Sequence, residues 1–317
     1  MLPIESVIRR NGFFLRRRDL LARGYSDGVI QRALRDRRIF RVRQGWYSVQ
    51  DASSAGVLAV RIGGRLTAFS ALEDLGIRVS RQPNLHVEVK PTASRLRRPI
   101  DRRARLLTGD SVTVYWSGTA SGGTPWRVSV GAALLAVLST ETRDVAIACC
   151  SAALRHRKIT HAALARVFAE APDRAQRWRQ LPSALDDSHG ETFFRLWTLD
   201  AGLRLKQQVF VEGVGWIDFQ LGQCSYVEID GGQHDPLWTG DTPSTWERDH
   251  DRDTTVAIDG GRTLRFTYRQ LYSDWPRVLA AVHRAIGDDR ALSAYRRAHP
   301  YRARTRKRRR ISPNGAS

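Results

Sequence analysis

The sequence predicts a mixed α+β chain, and three observations carry that expectation. Apolar residues recur at helical spacing in some stretches, as at Val29, Ile30, Ala33 and Leu34. In others they alternate with polar residues, as from Ile39 to Val49. Glycine- and proline-containing breaks separate the two patterns, so short helices and strands interleave along the chain. With 317 residues, 42% of them hydrophobic, two or three domains with buried cores are expected.

Residues Ile4 to Val49 read as three helices and a hairpin. Leu15 to Leu21 forms a short helix, which Gly24-Tyr25 breaks. Ser26 is a good N-cap, and Asp27 adds charge that favours a helix start. The helix that follows carries Arg32 and Arg35, with Arg37 and Arg38 just beyond. Ile39 to Val49 then alternates around a Gln44-Gly45 turn and reads as a β-wing. Two helices joined by a turn and followed by a basic wing have winged helix-turn-helix geometry. In that geometry Gln31, Arg32 and Arg35 reach the major groove of DNA, and Arg41 and Arg43 on the wing meet phosphates. The bland alternative is a small helical bundle with solubilising arginines.

Leu20 to Tyr47 follows the pattern L-x-x-x-G-Y-S-D-G-x-I-x-x-A-L-R-x-x-x-I-x-R-V-R-Q-G-W-Y. It closely resembles the N-terminal winged-helix domain of AbiEi-family antitoxins, the antitoxin half of a type IV toxin–antitoxin system. The resemblance implies a DNA-binding domain over 1–50, a recognition helix from Ser26 to Arg35, and a cognate toxin as a possible partner.

The middle region, 51–171, predicts a helix over Ala55 to Gly76 and strands at Leu85–Val89 and Val112–Trp116. Ser117 to Pro125 is a Gly/Ser/Thr-rich linker. Two helices are expected between Ser129 and Phe168. Arg95 to Arg105 is strongly basic and reads as a loop or exposed edge, either solvated or in contact with nucleic acid. The region resembles the regulator portion that follows the winged helix in the same antitoxin-like proteins. It carries no catalytic cluster, and it suits a scaffold or a homodimer surface. Pro172 to Ser188 is a charged, proline-containing joint.

Beyond the joint, Gly190 to Ala201 predicts a helix with Glu191 in its first turn, ended by Gly202. Arg204 to Val211 reads as a strand. Gly215 to His234 (GWIDFQLGQCSYVEIDGGQH) reads as a β-hairpin, with runs at Trp216–Asp218 and Tyr226–Asp230. Residues two apart share a strand face, so Glu228 and Asp230 point the same way, and a paired strand can bring Asp218 beside them. Acids so gathered repel unless a cation sits among them, and hard oxygen donors suit Mg²⁺ or Mn²⁺. A solvated surface hairpin is the plain alternative. A helix over Ser244 to Ile258 carries Arg248 and Arg252 on one face. They hold a phosphate or the acids of the site, or form ordinary surface ion pairs. A strand at Thr263–Thr267 and a last helix from Trp275 to Ile286 close the region.

The order Glu191, Asp218, Glu228-x-Asp230-Gly, His234, Arg248-Asp249-x-Asp251-Arg252, then Leu264-Arg265-Phe266-Thr267 resembles the Vsr-like branch of the PD-(D/E)xK nuclease superfamily. The resemblance implies a restriction-endonuclease-like αβββαβ domain over 188–287. It makes Asp218, Glu228 and Glu191 metal ligands for Mg²⁺ or Mn²⁺. It also makes Asp230, His234, Arg248 and Arg252 members of the catalytic site. Asp230 stands where the signature usually has Lys, which leaves the general base open; His234 is the nearest candidate. Two functions follow as expectations. One is a metal-dependent endonuclease targeted to DNA by its winged helix, with RNA as a weaker substrate option. The other is a non-catalytic, antitoxin-like repressor with a degenerate nuclease fold.

Charge agrees with a nucleic-acid partner. Fifty-two Lys and Arg against 32 Asp and Glu give +20. The tail over 299–317 is rich in Arg with no acid and reads as disordered, a salt-sensitive phosphate contact. Cys149, Cys150 and Cys224 show no zinc spacing and read as buried thiols in a reducing cytoplasm. No apolar span or signal core is visible, so membrane association is not expected.

Overall fold

The computed structural model describes residues 2–77, 79, 83–101, 103–117, 122–230, 252–258 and 260–298. The chain divides into two compact units, Met1–Leu196 and Trp197–Ser317. Each mixes helix and strand, as the two periodicities predict.

The first unit opens with α1 (Ile4–Arg10), β1 (Phe14–Arg16), α2 (Arg17–Leu21), α3 (Asp27–Arg35), β2 (Phe40–Arg43) and β3 (Trp46–Ser48). Ile8, Leu20, Ile30 and Tyr47 meet in one buried core, so the helices and the hairpin pack as one body. Ser26 caps α3, its hydroxyl accepting the Val29 N–H at 3.4 Å. Gly45 takes φ 73° in the wing turn, a conformation that costs glycine little. One expectation is corrected here. The helix expected from Leu15 starts only at Arg17, because Phe14–Arg16 is a strand paired antiparallel with β3, Leu15 opposite Tyr47. That pairing buries Phe14 and Leu15.

The unit continues with α4 (Ser54–Ile62), β4 (Arg65–Leu66), α5 (Ala68–Asp74), β5 (Leu85–Val89) and β6 (Val112–Trp116). Then come α6 (Val130–Thr140), α7 (Arg143–Arg155), α8 (His161–Glu170) and α9 (Asp173–Gln176). The helix expected over 55–76 is thus two. Gly63, at φ 115°, ends α4, and β4 pairs with β5 in a sheet of order β4-β5-β6. The two helices expected over 129–168 are three. Trp126 fastens the first fifty residues to this region: its indole N–H donates to the Gly12 carbonyl, and its ring lies 5.2 Å from that of Phe14. α10 (His189–Asp200) spans the boundary between the units.

The second unit holds β7 (Lys206–Val211), β8 (Gly215–Gln220) and β9 (Ser225–Asp230). A helix α11 (252–258) follows. β10 (Arg262–Thr267), α12 (Tyr268–Ser273) and α13 (Trp275–Ala298) complete the unit. The sheet order is β10-β9-β8-β7, and β10 runs parallel to β9. α11 lies in the crossover between those two strands, as a parallel pair requires. The last helix runs to Ala298, twelve residues beyond the expected end at Ile286. The extension has a structural use. Asp289 accepts the N–H groups of Gln223 and Cys224 at 2.7 and 2.9 Å, tying α13 to the β8–β9 turn. A Cβ on Gly222 would come within 2.4 Å of that carboxylate.

Cys149, Cys150 and Cys224 are buried free thiols. Among the described residues no helix is long and apolar enough to cross a membrane. The Arg-rich tail at 299–317 lies outside the described residues.

Candidate functional site

Two groups of residues singled out by sequence lie in different units. The first is the exposed face of α3. Ile30 and Ala33 point into the core, while Gln31, Arg32 and Arg35 are exposed on the opposite side. Among the described residues neither Arg32 nor Arg35 is paired with a carboxylate. Arg17 pairs with Asp27 at the start of the helix, which fixes α2 against it. Arg41 is exposed on the wing, its guanidinium 5.9 Å from the Tyr47 ring. Arg43 is placed differently from the expected wing contact. It is half-buried, turned towards α4, and donates to the Val60 carbonyl at 3.4 Å.

The second group surrounds Glu228 on the central strand β9. The β8–β9 ladder pairs Phe219 with Val227 and Gln220 with Tyr226. The next residues are Asp218 and Glu228, and there the Asp218 side chain takes over, accepting the Ile229 N–H at 2.8 Å. Asp218 and Glu228 are therefore neighbours, as the spacing suggested. What the spacing did not show is how Glu228 is held. Oε1 accepts from Arg252 of α11 at 2.6 Å, and Oε2 from Arg265 of β10 at 2.5 Å. The parallel register puts Arg265 directly beside Glu228. Arg265 also grips Asp253 through two bonds of 3.1 Å and lies 3.7 Å from Asp230. Arg252 donates as well to the Trp216 carbonyl at 2.6 Å. Burial pushes the Glu228 carboxyl above its usual range, and Asp218 and Asp253 add to the push; Arg265 and Arg252 oppose it.

Glu191 lies in the first turn of α10, in the first unit. It is buried, and its carboxylate accepts the Asp187 N–H at 3.0 Å. Its own N–H donates to Ser188 Oγ at 3.1 Å, so part of its role is to close the helix start. His234, Arg248, Asp249 and Asp251 lie outside the described residues.

The donor set bears on the divalent ion that the resemblance implies. Each oxygen of Glu228 already takes a guanidinium, and Asp218 Oδ2 takes a backbone N–H. Among the described residues no group of three or more His, Cys, Asp or Glu is placed to hold a metal ion. As arranged, these donors do not fit a Mg²⁺ shell. Chemically the cluster is an arginine-clamped acidic site, in which Glu228, Asp230 and Asp253 share Arg252 and Arg265 and Asp218 lies beside them. Sequence reasoning placed Arg252 at the site but not Arg265, whose part depends on the β9–β10 pairing.

No family model matches the chain, and no curated protein matches it. Among solved structures, the RV2827C protein from Mycobacterium tuberculosis is similar over 56% of this chain and 73% of its own. The identity is 17% and the TM-score 0.27, too low to support an argument about fold or function.

Proposed function

We propose that the chain is a DNA-binding regulator that reads duplex DNA through α3 and its wing, in the manner of the antitoxin-like repressors its N-terminal segment resembles. One observation carries this reading. Gln31, Arg32 and Arg35 stand exposed on one face of a capped, core-anchored helix. Such a helix suits the major groove, with the side chains reaching base edges and phosphates. A surplus of +20 supplies the salt-dependent, sequence-independent share of the affinity. A cognate toxin is a further proposed partner. The acid cluster, clamped by Arg252 and Arg265, then serves as a support in the second unit.

A gel shift on the promoter of the chain's own gene, run in EDTA, tests the reading. A discrete complex that survives competitor DNA, with no strand breakage when Mg²⁺ is added, is the expected result. Absence of any complex at moderate salt would end it.

A second reading, Mg²⁺- or Mn²⁺-dependent cleavage of DNA or RNA, is favoured by the side-by-side placement of Asp218 and Glu228. It requires Arg252 and Arg265 to release Glu228. Metal-dependent nicking that Asp218→Ala abolishes would establish it.

A further inference from the structure

A cavity of about 390 Å³ in the first unit lies where the wing meets the middle region. Arg16, Arg43, Arg65 and Lys90 line it, and Glu88 is the acid among the lining residues. Glu88 is already taken, since Arg65 holds its carboxylate at 2.6 Å. With Arg65 and Glu88 neutralising each other, Arg16, Arg43 and Lys90 leave the cavity with an excess of three positive charges. Arg16 lies over the Trp46 ring, 4.8 Å from its centre, which fixes the guanidinium against the cavity wall.

Arg43 is the unusual member. Its hydrogen bond is to a neutral carbonyl, that of Val60, and among the described residues no carboxylate is paired with it. Burial pulls its pKa below the usual arginine value, and Arg97 nearby repels it further. Gly63 makes room for it: a Cβ there would fall 2.3 Å from Nη1. A half-buried guanidinium without a counter-charge costs stability, and a like charge beside it raises that cost. An anion bound in the cavity would offset both. A planar guanidinium matches a phosphate through paired N–H donors, and Lys90 adds a point charge at the exposed rim.

We propose that this cavity is a phosphate-binding site formed by Arg43, Arg16 and Lys90. The phosphate is either free, as inorganic phosphate or the phosphate of a mononucleotide, or a phosphodiester of bound DNA. The proposal goes beyond the α3 reading and does not depend on the acid cluster.

The experiment uses the full chain and has two arms. In the first, thermal unfolding is followed with inorganic phosphate, and separately with a nucleoside monophosphate, against chloride at equal ionic strength. In the second, duplex binding is followed by fluorescence anisotropy in the absence of free phosphate. Both arms compare wild type with Arg43→Met, Lys90→Gln and the exposed control Arg10→Gln. A free-phosphate site raises the wild-type midpoint, and Arg43→Met weakens that response about tenfold or more, the loss of one charge-assisted contact. A DNA phosphate site leaves the first arm flat, and Arg43→Met weakens duplex binding about tenfold while Arg10→Gln does not. Lys90→Gln is exposed and tolerated by the fold, and it gives the same pattern at a few-fold scale. Unliganded Arg43→Met unfolds no earlier than wild type, because it removes an uncompensated charge. The proposal is overturned if phosphate and the nucleotide leave the wild-type midpoint unchanged and Arg43→Met weakens the duplex no more than Arg10→Gln does.

Discussion

Arginine is used in opposite ways on α3 and around β9. On α3, Arg32 and Arg35 are exposed and free of carboxylate partners among the described residues. Around β9, Arg252 and Arg265 are half-buried and hold Glu228 between them. The first pair leaves its charge available to a polyanion. The second spends its charge inside the fold, where removing one partner strands a buried acid. A net charge of +20 does not distinguish these uses; placement does.

That contrast can be broken first at Arg265. Arg265→Met leaves Glu228, Asp253 and Asp230 without their shared cation, and should destabilise the second unit by about 3 kcal/mol in urea unfolding. Adding Glu228→Leu should recover much of the loss. A change under about 0.5 kcal/mol, the level of a surface substitution, would mean that the clamp is decorative.

His86 sharpens the contrast from within the first unit. It is buried on β5, 5.1 Å from the Phe69 ring, with Nδ1 3.0 Å from the Tyr115 hydroxyl. Desolvation drops its pKa from 6.5 to about 4. The folded state keeps it neutral while the unfolded chain takes up a proton below pH 6.5. Stability from this group is therefore full above pH 6.5 and falls as pH drops towards 4, by up to roughly 2–3 kcal/mol. His86→Phe should flatten that part of the pH–stability curve. An unchanged slope would place the titration elsewhere.

A smaller effect is expected at the α3 cap. Ser26→Ala removes the acceptor for the Val29 N–H and should cost about 1 kcal/mol. Ser26→Asp should restore most of it. A larger loss would show that the hydroxyl does more than cap the helix.

Much of the fold was legible because it is local. β5 and β6 have the bounds expected of them, Leu85–Val89 and Val112–Trp116. The wing follows from its Gln44-Gly45 turn, and α3 from its cap and apolar face. What escaped depends on distant partners. β1 is three residues long and exists because Leu15 pairs with Tyr47. α13 runs past Ile286 because Asp289 reaches back to the Gln223 and Cys224 amides. The acids showed the same division. Period-two spacing put Asp218 near Glu228, but nothing local revealed that a parallel strand would bring Arg265 onto the same carboxylate. Nor does wing alternation show Arg43 turned inward, since Gly63, just past the end of α4, makes the room.

The most direct measurement is the salt dependence of duplex binding in EDTA, by fluorescence anisotropy, for wild type and for Arg32→Ala/Arg35→Ala. The exposed α3 face predicts affinity that falls steeply with salt. The double variant should lose about 1–3 kcal/mol per arginine, keep the wild-type unfolding midpoint, and show a shallower salt slope. Equal affinity and equal slope for the two proteins would contradict DNA reading by α3.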